Sequence, residues 1–338
     1  MSVKEESVKL TLRSRSVFRS SYFAIWPSTF LLFVLSPFIA HGSVGLGAFR
    51  STFTFAAILA IASVGQTLVI QQRGLDFSIP SGVSIAAIIV CKVPHGSDAK
   101  LISGIIIALA TCGLMGFLSG LAITVLRITP LVATLGVNSL ALGTIFRITS
   151  GTQTASATPG LVKFAQSQLF GISTIFLLTI LVILVASFIL KYTTIGRSFI
   201  LIGTSHVAAK AAGLAVKRTQ LLTYVIAALF SGFAGILLAG FVQTPVLSIG
   251  NNYLLPSIAA VVLGGTSLLG GGGSVVASGI GALFLTQLQQ VVFGAGAPAS
   301  VQLLLQSVAI GVGMGLRTVN WKNFFRSTKL KQLATHAV

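Results

Sequence analysis

The sequence predicts an all-α, polytopic membrane protein with about ten transmembrane helices. Of its 338 residues, 54% are hydrophobic and only 8% are charged, a balance typical of chains whose side chains mostly face lipid or other helices. Apolar runs of about 20 residues recur along the chain, which is the length that crosses a hydrocarbon core of roughly 30 Å. The distribution of basic residues, described below, gives the third indication.

Ten apolar segments mark the predicted spans. The first follows Arg13, Arg15 and Arg19 as a secretory signal would, but it is longer than a signal core and leads into further spans, so we interpret it as a retained anchor. The segments run roughly over residues 22–41, 52–70, 77–91, 101–126, 129–147, 172–190, 219–241, 253–267, 274–293 and 301–316.

Lys and Arg residues predict the orientation. If both termini are cytoplasmic, the inner side carries 17 of the 22 basic residues, because only Arg50, Lys92, Lys100, Arg147 and Lys163 fall outside. Cytoplasmic loops are enriched in Lys and Arg, so this asymmetry predicts an even number of spans with both termini inside. The chain then divides into a basic tail at 1–20, a transmembrane domain at 21–318 with a cytoplasmic loop at 191–218, and a second basic tail at 319–338.

The charged residues argue against several function classes. A net charge of +18 would suit nucleic acid, but the basic residues flank spans and form no cluster interleaved with aromatic residues, so we expect no nucleic-acid partner. The acidic residues are only Glu5, Glu6, Asp76 and Asp98. Ion-coupled transporters and membrane-embedded enzymes need intramembrane carboxylates, a metal cluster or an activated nucleophile, so we expect no catalytic site, metal site or bound cofactor.

A carboxylate interrupts the apolar pattern in GLDFSIPSG, residues 74–82. Pro80 suits the first turn of a helix, where its missing N–H is not needed. One interpretation is a cytoplasmic turn in which Asp76 or Ser78 caps the helix start, with Asp76 paired with Arg73. The alternative is a broken helix whose irregular backbone faces an aqueous path within the membrane.

The basic loop contains a predicted short helix in GTSHVAAKAAGLAVKR, residues 203–218. Thr204 or Ser205 can cap it and Gly213 can end it, which places the helix within residues 204–214. From these residues alone two interpretations stay open. Such a helix can enter a groove on a partner protein, or it can lie on the lipid headgroups as an amphipathic connector.

Glycines are concentrated in VLGGTSLLGGGGS, residues 262–274. A phosphate-binding P-loop requires a lysine before its closing hydroxyl, and this segment has none, so we expect no ATP binding by this chain. Gly264, Gly265 and Gly271 instead indicate sharp turns and close helix approach. Two pairs of small residues four apart also indicate close packing: Gly116 with Gly120, and Ser231 with Gly235.

Neutral polar side chains recur within the spans. Each alone fits a hydrogen bond between helices, whereas the set fits a polar route for an uncharged solute, since a charged solute would be expected to meet an ion. Pairs three or four apart share a helix face. The residues are Ser63, Gln66, Thr67, Thr134, Asn138, Gln287, Gln290, Gln302 and Gln306.

Several segments in order resemble the permease subunits of bacterial ATP-binding-cassette importers for ribose and related monosaccharides. They are GLDFSIPSG, TPLVATLGVNSLALGTIFRITSG, GRSFILIGTSHVAAKAAGLAVKR, AALFSGFAGIL and SIAAVVLGGTSLLGGGGSVVASGIGALFL, within residues 50–318. The resemblance implies a multi-pass protein of the bacterial inner membrane that imports a neutral monosaccharide by alternating access. Within transport, the alternative cargo is a branched-chain amino acid, and the alternative from another class is a membrane-embedded enzyme.

The resemblance also implies partners. They are an ATPase subunit that hydrolyses ATP, a second permease copy, identical or related, around a central path, and a periplasmic or extracellular sugar-binding protein. It implies that the loop helix couples to the ATPase through Thr204, Ser205, His206, Val207, Ala208, Ala209, Lys210, Ala212 and Gly213. Val207 stands where the family usually has a glutamate, so we expect docking mainly through small side chains such as Ala208, Ala209 and Ala212.

The predicted orientation can be measured with inserted reporters. A reporter placed near Lys210 or after Leu330 should be cytoplasmic, and one near Ser156 should be external, because the basic loops determine which side stays inside. Paired enzymatic reporters that are active on only one side of the membrane give the measurement. An external signal at Lys210 would contradict the ten-span arrangement.

Overall fold

Helices dominate the computed structural model, which describes residues 22–152 and 155–318. The two predicted basic tails therefore lie outside the described residues. The helices are α1 (Ile25–Ile39), α2 (Leu46–Gln71), α3 (Ile79–Lys92), α4 (Leu101–Thr124), α5 (Pro130–Thr149), α6 (Pro159–Gln166), α7 (Thr174–Tyr192), α8 (Thr194–Thr204), α9 (His206–Ala211), α10 (Val216–Val242), α11 (Leu254–Leu263), α12 (Val275–Gly294) and α13 (Ala299–Thr318).

Short irregular elements complete the described part of the chain. Two 3-10 helices cover Asp98–Lys100 and Ile249–Tyr253. The only strands among the described residues are β1 (Gln168–Leu169) and β2 (Ile172–Ser173), which pair antiparallel just before α7. These four strand residues are the one departure there from the predicted all-α class.

A helix lies at each of the ten segments that the sequence marks as spans. Among the residues that the structure describes, six helices are long and apolar enough to cross a membrane, namely α2, α4, α5, α7, α10 and α12. The helix α1, the helix α3 and the helical stretch Ile249–Leu263 are apolar but shorter. The chain is therefore a helical, polytopic membrane protein, while the count of ten spans stays a prediction.

The helices α2 and α10 form the centre of the bundle. α2 packs against α7, α10, α11 and α12, and α10 packs against α3 and α4. In the most apolar window of α2, 89% of the residues are buried inside the protein, compared with 11% in α7. α7 exposes large apolar side chains such as Leu181, Leu184 and Phe188, so it faces lipid, whereas α2 is shielded from lipid by its neighbours.

Two apolar cores meet on α10. One core contains Ile58 of α2 and Leu285 of α12, and α10 adds Leu237 to it. The other contains Cys112 of α4, and α10 adds Ile236. Consecutive residues of α10 thus point into different cores, so this helix lies between the two cores and contributes to both.

Small residues let α10 approach its neighbours closely. A β-carbon at Gly116 would lie 2.7 Å from the Cα atom of Val225, and one at Gly120 would lie 3.0 Å from the Cα atom of Leu221. On the other side of α10, a β-carbon at Gly235 would clash with the backbone of Val83. Both predicted pairs of small residues therefore lie at contacts of α10, with α4 and with α3.

The close contact between α4 and α10 predicts that alanine substitutions at two glycines of α4 differ sharply in their effect on stability. Gly116→Ala should lower the free energy of unfolding by about 1–3 kcal/mol, because its methyl group meets backbone that cannot yield. Gly113→Ala is the control, since its β-carbon would meet only the Cδ2 atom of Leu229 at 3.6 Å. Thermal unfolding of both variants in the same detergent measures the effect, and equal midpoints would contradict it.

Candidate coupling and transport sites

Asp76 lies in the segment between α2 and α3. Its Oδ1 atom accepts hydrogen bonds from the backbone N–H of Ser78 at 2.8 Å and from the Ser78 hydroxyl at 2.6 Å. Ser78 directly precedes α3 but makes no side-chain capping bond, and Pro80 stands in the first turn. The predicted side-chain cap on α3 is therefore not formed. Asp76 instead binds Ser78 and stabilises the turn that precedes the helix.

The segment between α2 and α3 is enclosed by protein. Asp76 is only 1% exposed. The backbone N–H of Phe77 donates to the Thr134 hydroxyl at 3.0 Å, and that of Ser81 donates to the Asn138 side-chain oxygen at 3.2 Å. Two α5 side chains thus satisfy backbone groups where the helical pattern is interrupted, as irregular backbone at a membrane requires.

Arg73 does not pair with Asp76. Its Nε atom donates to the carbonyl oxygen of Gly203 at 2.9 Å, and its guanidinium also donates to the carbonyl oxygen of Thr204. Both acceptors lie at the end of α8, where helix carbonyl groups lack partners within the helix. The predicted ion pair is wrong because these carbonyl groups take the guanidinium.

The predicted path residues serve separate helix contacts in this chain. The Thr67 hydroxyl of α2 lies 2.9 Å from the Ser278 hydroxyl of α12. The Gln287 amide of α12 donates to the Ser36 hydroxyl of α1 at 2.8 Å. Together with Thr134 and Asn138, they form hydrogen bonds between different elements of the chain.

The remaining predicted path residues differ in burial and in hydrogen bonding. Ser63 donates its hydroxyl to the Leu59 carbonyl within α2. Gln66 is fully buried, and neither polar atom of its amide has a partner among the described residues. Gln306 is buried as well, whereas Gln290 and Gln302 are partly exposed. The assignment of these nine side chains to a translocation path stays a prediction.

The predicted loop helix is α9, a six-residue helix. Its N-cap is Ser205, whose hydroxyl accepts a hydrogen bond from the Ala208 N–H at 3.2 Å, while Thr204 ends the preceding helix α8. At the other end, Gly213 has a positive φ of 75°, and Leu214 donates its N–H to the Ala209 carbonyl at 3.0 Å. This is the glycine-terminated helix end that the local sequence predicts.

One face of α9 is open and the other is closed. Val207 is 82% exposed, and Ala208, Lys210 and Ala212 are exposed as well. Ala209 is fully buried, on the side where α9 contacts α8 and α10. This corrects the expectation that Ala209 contributes to a docking surface, because its methyl group already packs against the rest of this chain.

His206 is half-buried and has a neighbour that the sequence did not indicate. Its Nε2 atom lies 3.4 Å from the side-chain nitrogen of Gln220 on α10. Burial, and then the positive charge of Arg73, lower the pKa of the His206 imidazole. The neutral ring that this favours can accept a hydrogen bond from the Gln220 amide.

The glycine-rich loop between α11 and α12 contains both predicted features. A β-carbon at Gly264 would lie 2.6 Å from the backbone of Ala277 and Ser278, so this glycine permits close approach. Gly265 and Gly271 have positive φ values of 97° and 86°, so they form turns. The sequence did not predict that this loop contacts the end of α2. Three consecutive polar residues there, Gln71 to Arg73, could have indicated a contact.

Metal-ligand chemistry is not supported within the part of the chain that the structure describes. No group of three or more His, Cys, Asp or Glu side chains there is close enough to hold a metal ion. The candidate sites described above therefore consist of polar contacts between elements and the exposed short helix α9.

Comparison with known proteins identifies the family. A family described as "Branched-chain amino acid transport system / permease component" matches residues 49–312. The chain is 31% identical over 285 residues to the autoinducer 2 import system permease protein LsrC of Enterobacter sp. (strain 638), covering 84% of this chain and 81% of the relative. It is 32% identical over 260 residues to the protein of that name from Yersinia pseudotuberculosis serotype O:3 (strain YPIII), covering 77% and 74%.

No solved structure matches the chain at a significant level. The family match covers well over half of the chain, and it agrees with the six apolar helices of membrane-spanning length. The chain therefore belongs to the family of transport-system permease components, multi-pass proteins of the bacterial inner membrane.

Proposed function

We propose that this chain is the membrane-spanning permease subunit of an ATP-driven importer for a neutral, sugar-like solute, such as ribose or a related monosaccharide. Family membership makes it a transport subunit and not an enzyme. The observation that carries the cargo class is the similarity, over 81% of the relative's length, to a permease named for autoinducer 2 import.

The geometry of α9 supports coupling to an ATPase subunit. This helix is a separate, capped unit between two long helices, and it presents Val207, Ala208 and Ala212 to the outside of the permease. A short helix with small exposed side chains can enter a groove on a partner. We propose that this face docks on the ATPase subunit and that the partner hydrolyses the ATP.

The proposed route forms between two permease copies. In one copy, the polar side chains within the spans are taken up by contacts such as Thr67 with Ser278 and Gln287 with Ser36. A path that opens alternately to each side then needs a second copy, identical or related, to supply its other wall. The proposed arrangement keeps ten spans, both termini and the loop 191–218 in the cytoplasm, with a sugar-binding protein outside.

A branched-chain amino acid is the second candidate cargo, favoured by the printed description of the family. A zwitterion would be expected to meet charged groups along its path. The described residues include only two carboxylates, and both accept bonds from backbone N–H groups: Asp76 from Ser78 and Asp98 from Gly160. This favours a neutral cargo.

Uptake measurements distinguish the two cargo classes. The permease is reconstituted in proteoliposomes with the ATPase and binding protein encoded beside it, and uptake of D-ribose, autoinducer 2 and L-leucine is measured with and without ATP. We expect ATP-dependent uptake of a sugar-like solute and none of leucine. ATP-dependent uptake of leucine alone would replace the sugar proposal with the amino-acid one.

Substitutions on α9 test the docking face. Ala208→Glu should leave the permease folded but weaken its binding to the ATPase at least about 5-fold, because a bulky charged group replaces a small contact worth about 1 kcal/mol or more. Lys217→Glu, a change at an exposed residue in the first turn of α10, is the control and should bind normally. Co-purification of the ATPase from the same membranes measures both.

Ala209→Glu provides the internal contrast on the same helix. Because Ala209 is fully buried, this change should reduce the yield of folded permease instead of acting only on ATPase binding. Normal ATPase binding by Ala208→Glu would show that α9 is a connector and not the docking element.

A further inference from the structure

Three segments that are distant in sequence meet beside α9. They are residues 71–73 at the end of α2, residues 199–204 at the end of α8, and residues 270–271 in the glycine-rich loop. We call this contact the cytoplasmic junction. Since α9 begins two residues after Thr204 and α12 begins four residues after Gly271, the junction lies directly between α9, α2 and α12.

Side chains of the first segment bind the end of α8. Gln72 donates its amide N–H to the Phe199 carbonyl at 2.7 Å. Arg73 donates to the carbonyl oxygens of Gly203, at 2.9 Å, and Thr204. The carbonyl groups of Gly203 and Thr204 belong to the last turn of α8, where such groups lack partners within the helix and favour a cation.

The glycine-rich loop closes the junction from the other side. Gly271 donates its N–H to the Gln71 carbonyl at 2.9 Å. The aliphatic part of Arg73 packs on Gly270 so closely that a β-carbon at Gly270 would clash with it. A β-carbon at Gly203 would likewise clash with the Gln71 carbonyl oxygen, so the three backbones are in direct contact.

The backbone of Arg73 is held in an uncommon conformation. Its φ is 64°, in the left-handed region that residues other than glycine rarely adopt. This turn follows directly after α2 and directs the guanidinium toward the end of α8. The surrounding contacts keep the residue there, as expected for a position whose geometry is needed.

We propose that the cytoplasmic junction moves as one rigid unit, fastened by Arg73, and transmits a displacement of α9 to α2 and α12. The inference rests on the proposed function, in which an ATPase subunit displaces α9. α2 is the central helix of the bundle and contacts α7, α10, α11 and α12. A shift of its cytoplasmic end therefore reaches most of the bundle, and Arg73 acts as a positioning residue for coupling.

A disulfide measures whether the junction holds together. A β-carbon at Gly271 lies 3.8 Å from that of Thr204, within the range for a disulfide of about 3.5–4.5 Å. The native Cys91 and Cys112 are buried and do not compete. In the Thr204→Cys, Gly271→Cys double variant of the full-length permease, the bond should form under mild oxidation. The positive φ of 86° at Gly271 disfavours a cysteine equally in every variant of this background, so the measured quantity is the relative rate of disulfide formation.

Adding a third substitution tests Arg73. Arg73→Gln should slow formation of the disulfide at least about 5-fold, whereas Arg197→Gln should not. Arg197 is the matched control. It is an exposed arginine in α8, the helix whose end Arg73 contacts, and replacing it changes the net charge by the same amount as Arg73→Gln. Equal rates with Arg73 intact and replaced would overturn the role of Arg73.

ATP hydrolysis by the assembled importer tests transmission without the engineered cysteines. Arg73→Gln should keep ATPase co-purification and basal hydrolysis but lose most of the stimulation by the binding protein loaded with D-ribose. Arg73→Lys should recover part of it, because an ammonium group still donates to one carbonyl. Full stimulation in Arg73→Gln would overturn the proposal.

The last measurement is ATP hydrolysis by the importer that carries the disulfide. If the junction moves as a unit, the Thr204–Gly271 disulfide should leave stimulated hydrolysis intact, and a loss that reducing agent restores would overturn the inference. Failure of the wild-type permease to bind the ATPase, or to respond to D-ribose, would count against the proposed function or cargo. The rates of disulfide formation would still decide whether Arg73 fastens the junction.

Discussion

Every backbone N–H and C=O group that enters a lipid bilayer needs a hydrogen-bond partner within the protein, and this requirement organises the described bundle. The same need for partners applies to the buried segment between α2 and α3, where the helical pattern stops for several residues. There Asp76, Thr134 and Asn138 supply acceptors to the free N–H groups of the chain. These polar residues therefore have a structural function: they accept hydrogen bonds from backbone N–H groups where the helix is interrupted.

The break after α2 has a second consequence, at the C-terminal end of this helix. Because α2 stops at Gln71, its final carbonyl group is free to bind Gly271, and Arg73 is free to reach the end of α8. A continuous helix would have used these groups internally. The central helix of the bundle is thus connected by hydrogen bonds both to the segment that carries α9 and to the loop that precedes α12.

Scarcity of charge is consistent with the proposed division of labour. The described residues contain two carboxylates, Asp76 and Asp98, and each accepts a hydrogen bond from a backbone N–H group. In the proposed function a partner subunit supplies the energy, and the cargo is an uncharged solute. The exposed face of α9 and the cytoplasmic junction are where that partner would act.

The sequence by itself determined the membrane class, the ten helical segments and the ends of α9. These depend on composition, on apolar length and on local chemistry such as the Ser205 cap and Gly213, all of which act within a few residues. Tertiary structure decided the rest. Ala208 and Ala209 are chemically identical neighbours, yet one is exposed and the other buried, because only the position of α8 and α10 determines which face of α9 is covered. Likewise, Arg73 follows a span as a basic residue commonly does, and its true partners lie about 130 residues away in the chain, a separation over which local patterns give no information.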